Sequence, residues 1–514
     1  MLVAFFIAES VAMTPATCGT PGHLQTALST PLDLIAPPST DLVDQESHGE
    51  IPNVAYSDRF ALKWGPDLAL TDDETERILA DFAFARDTQV LDWEMDDPTG
   101  YGGTFFNVYI GDSGGSVPSS LGNAGYYTLD GAGYPMIVLN RDYLTDEPYF
   151  RSVIAHEFFH AVQHAHEAFF YEDTGLWFWE TTASWAAGRT VPESGAFYGF
   201  LPWYALQPQA GLYHHSLDEY GGLPPDLHQY GAFIFPWYIS EVLLVPEAIL
   251  AVWRTGEMSD DPLRVLESVL SETIVADAIA MHAARNLTWD YERGAEFAAT
   301  VESWASHMAA QDQRFAPLID HSEPDFFTIP EEHWPRAGGY ALVQVPVDAV
   351  TPAGHITVKL AGDAAAAHPS AEPEAELAAV LVDLTVDGPR YHPIRRDLPH
   401  TNVWLDEGTE VWLAVANTGL LEDAFHPTPF MVSFAPLPGA PEPGDTGELE
   451  PSEPVDTGVP PAEDTAAPSG PEDYVVPEAK EEKASGCTAA PHPPSIWLLF
   501  LGAVAIRERT ARRP

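Results

Sequence analysis

The most constraining feature of this sequence is an apolar stretch that carries two histidines and a glutamate at helical spacing. His156, Glu157 and His160 lie within RSVIAHEFFHAVQ, residues 151–163. Large apolar side chains surround them: Val153, Ile154, Phe158, Phe159 and Val162. Positions four apart share one face of an α-helix, so both imidazoles can point at one place. The apolar neighbours require a buried helix, and the fold must therefore hold polar imidazoles inside a core.

The HExxH pattern of His156, Glu157 and His160 suits a catalytic zinc ion. Two imidazoles on one helix face can bind a tetrahedral zinc, and the glutamate between them can polarise a water at the metal. We therefore predict Zn²⁺ as the cofactor, with His156 and His160 as ligands and Glu157 as the catalytic base. A catalytic zinc keeps three protein ligands, so one more is required.

Two residues compete to be the third ligand. His166 lies ten positions after His156, as in the pattern HExxHxxGxxH, but Gln163 stands where that pattern has a turning glycine. Glutamine is a good helix former, so the helix should continue and carry His166 away from the metal. Glu180 opens the small-residue stretch ETTASWAA after a turn-like EDTG, and we prefer it as a ligand from a second helix. The alternative is that Glu180 only begins a helix and favours its dipole.

Four blocks between about residues 60 and 239 resemble a group of secreted metallopeptidases known mainly from myxobacteria and their relatives. The blocks are FFNVYI at 105–110, MIVLN at 136–140, HEFFHAVQ at 156–163 with WETTASW at 179–185, and QYGAFIF at 229–235. The resemblance implies a gluzincin-like zinc site that Glu180 completes. It also implies a zincin-like fold in which the strand at 137–139 is the sheet edge that receives an extended substrate.

Amide hydrolysis also needs a group that stabilises the charge developing on the substrate. We choose Tyr230, a phenol within the fourth block; ordinary aromatic packing beside Phe233 and Trp237 is the alternative. The other candidates are His214, His215 and His228. We expect His164 and His166 to face solvent or to form hydrogen bonds on the far side of the helix, and we do not assign them as ligands.

The pattern along the chain predicts two folded domains, because 514 residues exceed what one core normally organises. Residues 51–320 contain the HExxH segment and further helical spacing, and we predict a zincin-like catalytic domain there. Residues 325–436 contain short β-rich runs separated by turn residues, which predict a β-sandwich domain. The predicted fold class is α+β, a zincin-like metallopeptidase domain followed by a β-sandwich domain.

The two ends of the chain resemble targeting segments. Residues 1–16 contain a short apolar run followed by small residues, as in an export signal; a buried first strand or a mis-set start codon is the alternative, because no Lys or Arg precedes the run. Residues 17–50 would be a linker or pro-segment. Residues 438–486, rich in Pro and acidic residues, predict a disordered stalk. Residues 487–514 resemble myxobacterial C-terminal sorting signals, with a core helix as the alternative.

The net charge limits which molecules the protein can bind, and the cysteine content limits its disulfide bonds. The 23 Lys and Arg residues against 77 Asp and Glu residues give a formal charge of -54, which repels nucleic acid. Solubility, salt tolerance or binding of accessory Ca²⁺ would each explain this acidity. Only Cys18 and Cys487 occur, at opposite ends, so no disulfide framework is predicted. We expect an exported monomer, anchored through its C-terminal segment or released, that acts on proteins or peptides.

Two other functions stay open on the sequence alone. One is a surface adhesion or binding protein built on an inactive peptidase fold, and the other is a zinc hydrolase that acts on a bond other than a peptide. Intact His156, Glu157, His160 and Glu180 argue against an inactive fold. Metal-dependent cleavage of a protein substrate would distinguish the three functions.

Overall fold

The computed structural model describes the chain in ten segments. They are residues 42–170, 175–214, 227–309, 312–320, 326–346, 353–360, 377–396, 401–404, 410–419 and 427–436. The predicted export signal, stalk and sorting segment lie outside these residues, as do His215 and the first three residues of the EDTG turn.

Ten α-helices lie in the described segments. They are α1 (Asp72–Arg86), α2 (Glu147–Ala165), α3 (Leu176–Thr190), α4 (Leu201–Ala205), α5 (Leu227–Gly231), α6 (Ile234–Glu241), α7 (Pro246–Thr255), α8 (Pro262–Leu270), α9 (Glu272–Asn286) and α10 (Gly294–Ala305). Of the described helices, none alone has the length and apolar composition to cross a membrane; only the bent pair Leu227–Glu241 and Pro246–Thr255 passes that test.

Fifteen β-strands accompany them in the same segments. They are β1 (Asn53–Tyr56), β2 (Phe60–Trp64), β3 (Phe106–Gly111), β4 (Gly125–Leu129), β5 (Pro135–Asn140), β6 (Phe315–Ala316), β7 (Ile319–Asp320), β8 (Phe326–Thr328), β9 (Tyr340–Gln344), β10 (Ala353–Leu360), β11 (Leu377–Thr385), β12 (Gly388–Tyr391), β13 (Thr401–Trp404), β14 (Glu410–Asn417) and β15 (Phe430–Pro436). Together with the helices they confirm the α+β class.

The first sheet has the order β1-β2-β3-β5-β4. The three inner strands run parallel, while β1 and β4 are antiparallel to their neighbours. The inner strands are buried throughout, as their nearly continuous apolar sequences require for a sheet covered on both faces. On one face, Phe60 and Phe106 pack against Phe158 of α2, with ring centroids 5.7 and 6.1 Å away.

The strands predicted at 105–110 and 136–140 are confirmed as β3 and β5, but the predicted edge position of residues 137–139 is wrong. β5 lies between β3 and β4, because a hairpin turn at Asp130–Tyr134 places β4 on its outer side. The Asp130 carboxylate accepts hydrogen bonds from the backbone N–H groups of Ala132 and Tyr134 and holds that turn. β4 is therefore the end strand of this sheet.

Helix α2 packs on the first sheet, and α3 lies beside α2. As predicted, α2 continues through Gln163, and its C-cap is His166. Gly175 precedes α3, where a Cβ atom would lie 2.3 Å from the Phe169 carbonyl oxygen, so only glycine fits. The predicted start of the second helix at Glu180 is wrong by one turn. The helix begins at Leu176, because this close approach lets the chain enter the helix directly after Gly175.

Two further five-stranded sheets follow the helices, with the orders β13-β10-β15-β8-β7 and β12-β11-β14-β9-β6. The short β-rich runs predicted within residues 325–436 are confirmed, for example as β9, β10 and β14. Both sheets contribute to one apolar cluster, for example through Val358 of the first and Val343 of the second. The other face of β11 and β14 packs on α9. The helical core thus continues across the predicted domain boundary near residue 325.

Candidate metal centre

The structure brings together the three predicted metal ligands from two adjacent helices. His156 Nε2 lies 3.1 Å from Glu180 Oε2, and His160 Nε2 lies 3.4 Å from Glu180 Oε1. The two imidazole Nε2 atoms are 3.1 Å apart, with the ring planes at 86°. One ligand atom from each residue lies within 4.8 Å of the others, so this group could hold a metal ion.

The spacing of these atoms fits a small tetrahedral cation. Zinc–ligand bonds of about 2.0–2.1 Å at tetrahedral angles place the ligand atoms roughly 3.3 Å apart. His156 Nε2 lies 3.1 Å from both His160 Nε2 and Glu180 Oε2, close to that value, and the other carboxylate oxygen, Glu180 Oε1, lies 3.4 Å from His160 Nε2. Two imidazole nitrogens and one carboxylate are also a common donor set for catalytic zinc. The residues present therefore fit the predicted ion in donor type and in proximity.

Electrostatics favours a cation among these three side chains. Burial alone would raise the pKa of the Glu180 carboxyl group, but the charge and hydrogen bonds of His160 and His156 outweigh it and lower the pKa to about 2. Burial opposes the charged form of His160, yet the nearby Glu180 carboxylate raises the pKa of His160 above its usual value. A buried carboxylate that stays ionised needs a positive partner, which is either a proton or a metal ion.

Glu157 is buried beside the cluster and lies against the end strand of the first sheet. Gly125 of β4 is its neighbour: a Cβ atom there would be 3.0 Å from Glu157 Cγ and 3.2 Å from Glu157 Oε1. Any larger residue at position 125 would press on the carboxylate. The strand next to the predicted base is thus β4, and its glycine makes room for the glutamate.

Tyr230, the predicted charge-stabilising residue, is buried and close to the cluster. Its ring stacks on His156, with the centroids 5.9 Å apart and the planes at 14°, and it also contacts Phe200. Its helix, α5, is tied to α3 because Thr181 Oγ1 donates a hydrogen bond to the Gln229 carbonyl at 2.7 Å. The structure therefore places Tyr230 next to His156, one of the predicted ligands.

The remaining histidine candidates have other partners. His166 Nε2 accepts a hydrogen bond from the Asp96 backbone N–H at 3.2 Å, so the helix carries it away from Glu180 as predicted. His164 hydrogen-bonds with the Tyr127 hydroxyl at 2.6 Å. The solvent-facing alternative for His164 is wrong, because its side chain is fully buried under β4. His214 and His228 contact each other, with ring centroids 5.2 Å apart.

Gln163 is a residue of the site that the sequence reasoning considered only as a helix former. Its side-chain oxygen is 2.7 Å from His160 Nδ1, and its amide nitrogen donates to the Trp179 carbonyl at 2.9 Å. Position 163 is three residues after His160, a spacing that puts both side chains on one helix face. That spacing was a usable signal for a residue that orients the ligand.

A small cavity adjoins His156 and Glu157. Its volume is ≈ 40 Å³. Small side chains and aromatic rings line it: Ser152, Ser184, Ala187, Phe197, Phe200 and Tyr230. A cavity that holds benzene has about 150 Å³, so the smaller space here suits a small side chain better than an aromatic ring.

Fold and site together define an α+β protein with a buried His–His–Glu group that could hold a metal ion. Residues 136–416 match a family of unknown function (DUF6055), which is more than half of the 514 residues, and the chain belongs to that family. The matched range begins in β5, ends in β14 and contains all three predicted ligands, Glu157 and Tyr230. No curated protein matches the chain.

Proposed function

We propose that this protein is a zinc-dependent peptidase whose zinc is held by His156, His160 and Glu180. The observation that carries the proposal is the convergence of the three side chains, whose ligand atoms lie within 4.8 Å of one another and form a donor set common in catalytic zinc sites. When bound, zinc would supply Lewis acidity and lower the pKa of a water molecule. The proposal includes zinc as the metal, a zincin-like arrangement of the first sheet with α2 and α3, and a β-sandwich formed by the two later sheets.

The roles of the chain's own residues follow from their positions. Glu157, buried beside the ligands, accepts a proton from the attacking water and delivers it to the leaving amine. Tyr230, stacked on His156, donates a hydrogen bond to the oxygen on which negative charge develops. The substrate backbone lies beside β4, whose Gly125 contacts Glu157, and one substrate side chain enters the small cavity.

Two features support peptide hydrolysis over other zinc chemistry. The end strand β4 runs past the base, and extended peptides commonly bind along strand edges. The cavity next to His156 and Glu157 has the size of a small amino-acid side chain. The proposal also includes three inferences from sequence resemblance. They are export, display at the cell surface and membership of the myxobacterial metallopeptidase group.

The proposal is tested with Glu157→Gln in the full-length chain. Loss of a general base lowers kcat by about 10²–10⁴-fold. Casein cleavage should fall by this factor while zinc content stays at the wild-type level. Glu147→Gln, on the same helix but exposed, is the matched control and should retain activity. Full casein cleavage by Glu157→Gln would refute the role of Glu157, and a wild type that binds zinc but cleaves no peptide would refute the peptidase assignment.

A further inference from the structure

Gln163 is buried completely, and its side-chain amide bridges the two helices that carry the metal ligands. On α2, its Oε1 atom lies 2.7 Å from His160 Nδ1. On α3, its Nε2 atom donates to the Trp179 carbonyl and to Thr182 Oγ1, both at 2.9 Å. One side chain therefore contacts a ligand histidine and the residue that immediately precedes Glu180.

The orientation of the Gln163 amide is fixed by its partners on α3. The Trp179 carbonyl can only accept a hydrogen bond. The Thr182 hydroxyl donates its one proton to the Phe178 carbonyl at 2.6 Å, so it can only accept from Gln163. Thr182 Oγ1 also accepts from Trp253 Nε1 at 3.1 Å, which saturates it. The NH₂ group of Gln163 must face α3, and its oxygen must face His160.

This orientation determines the tautomer of His160. An oxygen that can only accept, placed 2.7 Å from Nδ1, requires that Nδ1 carry the proton. The lone pair of neutral His160 is then on Nε2, the atom that points at Glu180 Oε1 and His156 Nε2. A histidine binds a metal through a deprotonated ring nitrogen, so this tautomer is the one that the site requires.

We propose that Gln163 is the positioning residue of the metal centre: it holds His160 in the metal-binding tautomer and anchors the backbone just before Glu180. This inference is based on the proposed metal site. Without Gln163, the other tautomer of His160 can donate from Nε2 to Glu180 Oε1, 3.4 Å away, and a proton then takes the position of the metal. Removal of such partners of metal-binding histidines lowers metal affinity by about 10–100-fold.

The test compares Gln163→Met with Gln89→Met in the full-length chain. Gln89 is also completely buried, and it also bridges the two helices, because its Nε2 atom donates to the Ala155 carbonyl of α2 and to Thr190 Oγ1 of α3. It contacts neither ligand histidine through these bonds. Gln89→Met is therefore a control for the loss of a buried inter-helix amide.

Two quantities are measured for each variant: zinc affinity by competition with a chromophoric chelator, and the imidazole tautomers of the metal-free, ¹⁵N-histidine-labelled protein by NMR at alkaline pH. Gln163→Met should lose about 10–100-fold in zinc affinity, and the Nδ1–H signal of His160 should give way to a tautomer mixture. Gln89→Met should keep both at wild-type values.

Unchanged tautomer and unchanged zinc affinity in Gln163→Met would overturn the inference, as would equal losses of affinity in the two variants. Failure of the proposed function gives a different result. If the wild type bound no zinc, the metal site itself would be refuted, while the tautomer of metal-free His160 would still decide whether Gln163 sets it.

Discussion

His160 on α2 and His282 on α9 are both fully buried, but they have different neighbours. His160 meets the Glu180 carboxylate, which raises the pKa of its imidazole against the effect of burial. His282 lies among aromatic rings and accepts a hydrogen bond from Asn286, and burial lowers its pKa to about 3. His228 behaves like His282, with a pKa lowered to about 4 by burial.

The comparison shows which neighbours turn a buried histidine into a candidate metal ligand. Burial alone gives a neutral imidazole that resists protonation. Only a converging carboxylate and a second imidazole add the charge and the donor atoms for a cation. Across the residues that the structure describes, His156, His160 and Glu180 are the only such group of three.

The largest effect is expected on zinc affinity, when a histidine of the metal site and a buried histidine outside it are each replaced by alanine. His160→Ala removes a ligand, so its zinc affinity should fall by more than ~100-fold, beyond the loss of a partner that only orients a ligand. His228→Ala leaves the ligand set intact and should keep wild-type affinity, although the cavity it creates lowers stability. Isothermal titration with zinc measures both. Equal zinc affinities in the two variants would show that His160 and His228 do not differ as metal ligands.

A smaller effect is expected in the pH dependence of stability. An unfolded histidine has a pKa of about 6.5, whereas His228 and His282 have folded pKa values of about 4 and 3. Below pH ~6.5 the unfolded chain binds more protons, so these two groups lower the free energy of unfolding as the pH falls. The full loss of stability from each histidine is reached only when the pH is below its pKa in the folded protein.

This loss can reach roughly 1.4 kcal/mol per pH unit for each group. Urea unfolding of the full-length chain between pH 7 and pH 4 measures it. His282→Gln, whose side-chain oxygen can still accept from Asn286, should reduce the slope, and the exposed His307→Gln is the control. Identical slopes for His282→Gln and the wild type would mean that His282 is not the group that titrates.

The smallest effect concerns the cavity beside His156 and Glu157. Peptides with Ala or Val next to the scissile bond should be cleaved about 10–100-fold faster than peptides with Phe there, because a small side chain fits this cavity better than a phenyl ring. Ala187→Val, which narrows the cavity, should reduce cleavage of the Val peptide more than that of a Gly peptide. Ala251→Val, on α7, is the control. A preference for Phe would exclude this cavity as the substrate pocket.

The helix that carries His156 and His160 could be predicted from the sequence, because its geometry depends only on neighbouring residues. The four-residue spacing of His156 and His160 and the helix-forming Gln163 determine one helix face without reference to the rest of the fold. The approach of Glu180 to the two histidines was expected from its place at the start of a second helical stretch and from the resemblance, but the actual start of its helix was not. That start depends on the contact of Gly175 with the Phe169 carbonyl oxygen, which no local pattern reveals.

The predictions that were wrong concern features that depend on contacts between segments distant in the chain. Strand order is set by which strand pairs outside β5, so residues 137–139 could not be placed at an edge or in the interior from their own sequence. The burial of His164 depends on Tyr127, 37 positions earlier. The role of Gln163 required the positions of Trp179 and Thr182, since its hydrogen-bond partners fix its amide.

Metal analysis of the purified full-length chain determines whether one zinc ion is bound by ligands from both helices. Wild type is compared with Glu180→Ala and with Glu193→Ala, a control at an exposed glutamate just beyond α3. We predict about one zinc per chain in the wild type and the control and none in Glu180→Ala. Wild-type protein without zinc, or zinc retained in full by Glu180→Ala, would refute the proposed zinc site.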